Sequence, residues 1–267
     1  MRQQSSVARL LVSTAMAAIL AVGGGCQTMS DITGSISSKS DTSPDADPRR
    51  SAETYGERYR ANPKDADAAL LYGQALRATG QRGQAVAVLE QATIAHPGNK
   101  ALLAGYGRAL ADNGNFQQGF DVLTRAHSPD NPDWRILSVQ GTVLDQLGRH
   151  DEARRYYESA LKIVPEEPSV LSNLGLSYVL SRDLPRAEEA LRRAYGSTRA
   201  DARVRQNLGL VVGLQGRFAE AEIIVKADLP AEEAAANVAY LKQMLNRKDS
   251  PRDGAGTVPV ASLSRPN

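Results

Sequence analysis

One thiol, three imidazoles and a scatter of carboxylates are the side chains through which this chain could do chemistry. Cys26 is the only cysteine, so no disulfide can close within a monomer. His96, His127 and His150 stand at unrelated spacings. None has a second histidine three or four positions away, the separation that brings two imidazoles to one helix face and one metal ion. No Gly-x-Ser-x-Gly elbow, phosphate loop or dinucleotide fingerprint occurs. Glu152, Glu188, Glu189 and Glu222 read as solvated helix faces and helix-start charges. These residues predict a chain that is not an enzyme and that holds no cofactor and no metal.

Cys26 has a different chemistry open to it. Arg2 and Arg9 charge the start of the chain, and Leu10 to Val22 forms an apolar run too short to span a bilayer. The Gly23-Gly24-Gly25-Cys26 that follows resembles a bacterial lipoprotein lipobox, departing from it at Gly23, where that motif usually has leucine. The resemblance implies that residues 1–25 are a lipoprotein signal peptide and that the Cys26 thiol is diacylated. Each buried methylene of the acyl chains then contributes about 0.8 kcal/mol to membrane attachment. The competing reading is an idle thiol in a discarded segment. Gln27, in place of the aspartate that tends to retain such proteins on the inner membrane, implies an outer-membrane location facing the periplasm. Residues 26–48, rich in Ser, Thr, Asp and Gly, read as a flexible tether with a reach on the order of 25 Å.

The elements that would have to position any site are organised by an interval. Glycine returns at Gly73, Gly107, Gly141, Gly175 and Gly209, each step 34 residues. A glycine inside a helix costs roughly 1 kcal/mol relative to alanine, so five in one phase need a packing reason. Twelve residues after each stand Ala85, Gly119, Ala153, Ala187 and Ala221, and four further on Leu89, Leu123, Tyr157, Leu191 and Val225. Ala92, Ala126, Ala160 and Ala194 continue the pattern, which fails at Asp228; Pro63, Pro97 and Pro165 close helices in a common phase. This order at this interval is similar to the tetratricopeptide (TPR) repeat. It predicts helical hairpins in which small residues permit close approach, large apolar ones fill the gap and proline stops the second helix. Gly80, Gly114, Gly148 and Gly216 mark the turns, with Arg182 in that place in the fourth repeat.

The predicted fold is therefore an all-α TPR solenoid, a superhelix of stacked hairpins with disordered N- and C-terminal tails. A capping helix is expected over 49–65 and five repeats over 66–99, 100–133, 134–167, 168–201 and 202–229. A second cap follows at 230–248, with Ala234, Val238, Leu241 and Leu245 on one face, and then a disordered tail at 249–267. Ser128-Pro129-Asp130-Asn131-Pro132 displaces the terminating prolines of the second repeat and predicts a different bend there. At 267 residues with 42% hydrophobic and 5% aromatic content, no large single core is needed, because each hairpin buries its face on its neighbours. A net charge of +2 does not point to nucleic acid.

The TPR resemblance further implies that ligand contacts come from the concave face built by the first helices. On this chain the matching positions include Arg77, Arg108, Asp112, Arg135, Thr142 and Asp145, then Asn173, Leu176, Val179, Leu180, Arg203, Asn207, Leu210 and Leu214. Asn173 and Asn207 share the phase that in peptide-binding modules sets an amide against ligand backbone. The four leucines would receive apolar ligand side chains. Two other readings stand beside these: that the asparagines bond internally, and that the leucines pack between repeats. The full set of lysines and arginines that clamps a C-terminal carboxylate in some family members is absent.

Lipobox, tether, about five repeats and short tail together resemble the TadD-type lipoproteins of tight-adherence (Flp) pilus machines. That resemblance implies an assembly scaffold anchored in the membrane by its lipid. Its partner would be a protein or peptide segment of the pilus or secretion machinery, the secretin first, with no nucleic acid. The alternative is a TPR lipoprotein adaptor for cell-wall enzymes or outer-membrane barrel assembly.

Overall fold

The computed structural model describes residues 47–249. The expected signal peptide, Cys26, nearly all of the expected tether and the expected tail beyond Asp249 lie outside the described residues.

Twelve α-helices, and no strand among the described residues, follow one another in chain order. A single helix, α1 (Pro48–Ala61), precedes five hairpins: α2 (Ala66–Ala78) with α3 (Arg82–Ala95), α4 (Lys100–Asp112) with α5 (Phe116–Ala126), α6 (Trp134–Gln146) with α7 (His150–Ile163), α8 (Pro168–Leu180) with α9 (Leu184–Tyr195), and α10 (Ala202–Leu214) with α11 (Phe218–Val225). The last helix, α12 (Ala231–Asp249), lies against α10 and α11. Each first helix touches its own partner and the first helix of the next hairpin, so α2, α4, α6, α8 and α10 stack side by side and line one face.

The glycine interval has a steric cause. A Cβ on Gly73, Gly107, Gly141, Gly175 or Gly209 would come within 2.5–2.7 Å of Leu89, Leu123, Tyr157, Leu191 or Val225 respectively. Each large residue of a second helix therefore sits directly on the bare backbone of the first, and all but Val225 are no more than 1% exposed. The small residues between them, Ala85, Ala153, Ala187 and Ala221, are equally enclosed. Helix α12 repeats the device, with Leu241 Cδ2 2.5 Å from where a Cβ of Gly213 would stand. Five dry hairpin interfaces result, joined by apolar clusters that cross from one repeat to the next.

A second interval of 34 residues marks where the first helices begin. Asp65, Asn99, Asp133, Glu167 and Asp201 are the N-cap residues of α2, α4, α6, α8 and α10. Four of them accept backbone N–H groups of the first turn, as Asp133 does from Arg135 at 2.7 Å and Asp201 from Val204 at 3.1 Å. Glu167 makes no such bond, and Pro168 behind it removes one of the donors needing a partner.

The hairpin turns are left-handed at Gly80, Gly114, Gly148 and Gly216, with φ of 75–87°. Arg182 adopts the same conformation at φ 63° and completes the same hydrogen bond, Asp183 N to Tyr178 O at 2.9 Å. The turn is thus preserved in the fourth repeat with a side chain in a conformation that costs roughly 1–2 kcal/mol outside glycine. In the second repeat α5 stops at Ala126, and Ser128 and Asn131 close a small turn, Asn131 N to Ser128 O at 3.0 Å, before Asp133 starts α6. The break of pattern at Asp228 has its own reason. Helix α11 is only 8 residues long, and Asp228 beyond it takes a bidentate pair from Arg205 of α10 at 2.5 and 2.6 Å.

Glu188 departs from the expectation of a solvated face. Its carboxylate is 14% exposed and is met by Arg217 at 2.7 Å, Arg192 at 2.6 Å and Gln215 at 2.8 Å, tying the fourth repeat to the fifth. Burial alone would raise its pKa, but the hydrogen bonds from Arg217, Gln215 and Arg192 outweigh burial and hold it at about 2. A carboxyl depressed in the folded state adds stability above its ordinary value of 4.5, and that stability is lost as pH falls toward about 2. Because both arginines reach solvent, the discounted contribution is about 1–2 kcal/mol. Glu188→Gln is therefore expected to lower urea stability by that amount at pH 7, with the difference from wild type closing as pH falls through this window.

Candidate functional site

The face lined by α2, α4, α6, α8 and α10 changes character along its length. At its N-terminal end, Arg77 of α2 donates from Nε to Asp112 Oδ2 of α4 at 2.6 Å, and both side chains are largely buried. Arg77 is thus engaged across the first repeat boundary. One turn before Asp112, Arg108 is not engaged: its Nε is closed off from solvent and has no hydrogen-bond partner among the described residues. Burial, followed by the like charge of Arg77, brings the Arg108 pKa down to about 10; Asp133 and Asp112 push it up and Arg135 down. Arg135, at the start of α6, lays its guanidinium over the Trp134 ring, 4.6 Å from the centroid.

Arg77, Arg108, Asp112, Thr142 and Asn173 share one recess with Ala111, Val139 and Val143, at the centre of the stacked first helices. Five of the groove positions named from the sequence, Arg77, Arg108, Asp112, Thr142 and Asn173, thus come together there. Val139, Val143 and Ala111 were not among them. Their signal was available only as apolar residues at helical spacing, which reads equally as core.

Farther along, the asparagines have internal partners. Asn173 Nδ2 donates to Ser138 Oγ at 3.2 Å, and Asn207 Nδ2 to Ser172 Oγ at 3.0 Å, each spanning one repeat boundary. The two bonds follow one geometry a repeat apart, and each leaves an amide oxygen without a bond in that pair. Leu176 and Leu180 of α8 and Leu210 and Leu214 of α10 are half-buried. Arg203 is exposed and folds back on Asp201, at 2.9 and 3.0 Å, outside the recess.

Asp145, another position assigned to the groove from the sequence, points into the protein. It is 8% exposed and accepts from Ser177 at 2.8 Å, His150 Nδ1 at 2.9 Å and the Tyr157 hydroxyl at 3.0 Å. Burial raises its pKa, against the hydrogen bonds from His150, Ser177 and Tyr157. Serine, histidine and aspartate meet here, but not as a nucleophile relay. Ser177 and His150 both donate to the same carboxylate, so the imidazole has no serine proton to accept, and Ser177 is 0% exposed. The cluster joins α6, α7 and α8. The other two imidazoles sit apart from it, His96 against Lys64 O at 2.8 Å and His127 against Gln140 Oε1 at 3.1 Å. Among the described residues no group of three His, Cys, Asp or Glu side chains is placed to hold a metal ion, and no helix is long and apolar enough to cross a membrane.

The family model described as tetratricopeptide repeat matches residues 123–168, 139–202 and 172–239. A model for anaphase-promoting complex, cyclosome, subunit 3 matches 49–126. Among curated proteins the chain is 24% identical over 152 residues to BBSome complex member BBS4 of Bos taurus, covering 57% of this chain and 29% of that one. It is 34% identical over 104 residues to uncharacterized protein y4yS of Sinorhizobium fredii, covering 38% and 56%. The chain thus spans under a third of the first relative and little more than half of the second. Among solved structures, PilW, described as a widely conserved type IV pilus biogenesis factor, superposes with a TM-score of 0.62 at 18% identity, over 72% of this chain and 91% of that one. The pilF protein of Pseudomonas aeruginosa gives 0.56 at 16% identity, over 75% and 91%. Stacked hairpins at a 34-residue interval, matched by the repeat model through their C-terminal portion, give this chain the all-α fold of a tetratricopeptide-repeat solenoid.

Proposed function

We propose that the protein is an outer-membrane-anchored, periplasm-facing scaffold for assembly of a tight-adherence (Flp) pilus or related secretion apparatus. The first helices hold a segment of a machine component, the secretin first among candidates. The observation that carries this reading is the continuous face of α2, α4, α6, α8 and α10, polar and cationic at one end and edged by half-buried leucines at the other. Such a face suits an extended or helical segment with alternating polar and apolar side chains. The likeness in fold to PilW, a pilus biogenesis factor by its description, and the lipobox-like approach to Cys26 support the placement.

Anchoring and grip are separable in one experiment. Cys26→Ser is expected to move the full chain from the membrane to the soluble fraction; unchanged fractionation would remove the anchor from the proposal. In cells carrying the wild-type chain, crosslinking should capture a component of the apparatus. Leu210→Glu on the groove should abolish that band, whereas Ile223→Glu, at a residue 71% exposed on α11, should leave it. Equal bands from both variants would place the partner on another surface.

A further inference from the structure

The recess at Arg108 carries an imbalance of charge. Arg77 and Arg108 line it with Asp112, two positive groups against one negative, a net of +1. Asp112 is taken by Arg77 at 2.6 Å. The charge left over is that of Arg108, whose Nε has no hydrogen-bond partner among the described residues and whose part-exposed side chain lines the recess. An incoming anion can pair with such a cation at the wall of a recess, where the attraction is less screened than in open water.

We infer that this recess is a subsite for the carboxylate of an acidic side chain in the bound polypeptide, received on the guanidinium of Arg108. The inference rests on the concave face being where a polypeptide binds. A planar guanidinium offers its two terminal nitrogens as a fork matching the two oxygens of a carboxylate. The single negative charge of aspartate or glutamate cancels the surplus. A phosphate dianion would overshoot it and bring a second negative charge toward Asp112. Val139 and Val143 on the recess wall suit the methylene stem of such a side chain. The subsite thereby fixes the register of the ligand, its acid at α4 and its apolar residues along the leucines of α8 and α10.

The test uses the full chain and a phage-displayed library of random peptides. Selected peptides should share an aspartate or glutamate at one place. Changing that residue to its amide should weaken binding to the wild-type chain about tenfold or more, the worth of a charge-assisted bidentate pair. In Arg108→Met, which removes the surplus charge and is expected to be at least as stable as wild type, the same change in the peptide should matter less than twofold. Arg108→Lys, which keeps the charge and loses the fork, should fall between and serves if the methionine variant does not fold. Peptides that bind without a shared acid, or whose acid matters equally in the Arg108 variants, would overturn the subsite while leaving the groove intact. Competition by inorganic phosphate but not by acetate at equal ionic strength would overturn the carboxylate assignment. A library yielding no binders at all would overturn both the subsite and the groove.

Discussion

Asp145→Ala is expected to lower the unfolding free energy by about 3 kcal/mol at pH 7, as the loss of a buried charged acceptor shared by three donors. Ser177, wholly enclosed, loses its partner, as does His150; the Tyr157 hydroxyl keeps only Thr142 Oγ1 at 3.3 Å. These donors belong to α7 and α8 while Asp145 belongs to α6, so the loss loosens a repeat boundary as well as a hairpin. The direction of the pH dependence follows from the raised Asp145 pKa, for which burial is the main cause. A carboxyl raised in the folded state contributes stability that is fully present below its ordinary value of 3.8 and is lost as pH rises through the folded value. The deficit of the alanine variant should therefore be larger near pH 4 than at pH 7. Adding Ser177→Ala to Asp145→Ala should cost less than the sum of the two, since no orphaned hydroxyl then remains. Urea unfolding followed by circular dichroism measures all of these. A strictly additive pair with no pH dependence would mean that the cluster does not act as a unit.

Gly141→Ala is expected to destabilise by about 2 kcal/mol, although alanine is the better helix former by roughly 1 kcal/mol. The added Cβ would stand 2.6, 2.8 and 2.9 Å from Cε1, Cζ and Cδ1 of Tyr157. Three atoms of a rigid ring cannot be avoided by changing one torsion. The ring is fixed at its far end by the bond from its hydroxyl to Asp145 at 3.0 Å. Relief therefore requires α6 and α7 to separate, opening the interface that the residue was meant to fill. Gly83, on α3 with nothing within 4 Å of where an added methyl would stand, is the control. Gly83→Ala should be neutral or stabilising by up to about 1 kcal/mol. Should Gly141→Ala match that control in its urea midpoint, close approach of Tyr157 would not be the reason for glycine at this interval.

The repeat pattern was legible because it records a contact made five times. A large residue sixteen positions after a glycine falls on that glycine once the chain reverses, and one geometry imposed on each hairpin leaves one spacing in the sequence. The row of caps from Asp65 to Asp201 keeps the same interval but emerged only with the helix starts in place, and Glu167 among them makes no cap bond. The left-handed turn at Arg182 was open to doubt only because its residue type does not favour it; the hydrogen bond to Tyr178 O forms regardless.

Which polar side chains meet a ligand was not legible in the same way. Asp145, Asn173 and Arg108 all occupy first-helix positions that the TPR pattern assigns to the concave face. The structure buries the first in a hydrogen-bonded cluster, bonds the second to Ser138 and leaves the Nε of the third without a partner among the described residues. Glu188 likewise meets Arg217 and Gln215 of the next repeat, whereas Glu152 pairs with Arg149 three positions before it. By itself the sequence determined the hairpin, its length, its dry interface and its turns, because those depend on residues close in the chain and repeated at one interval. The tertiary structure alone decided how charges and amides are shared, because their partners stand 27 to 35 positions away on neighbouring repeats that do not carry the same residues.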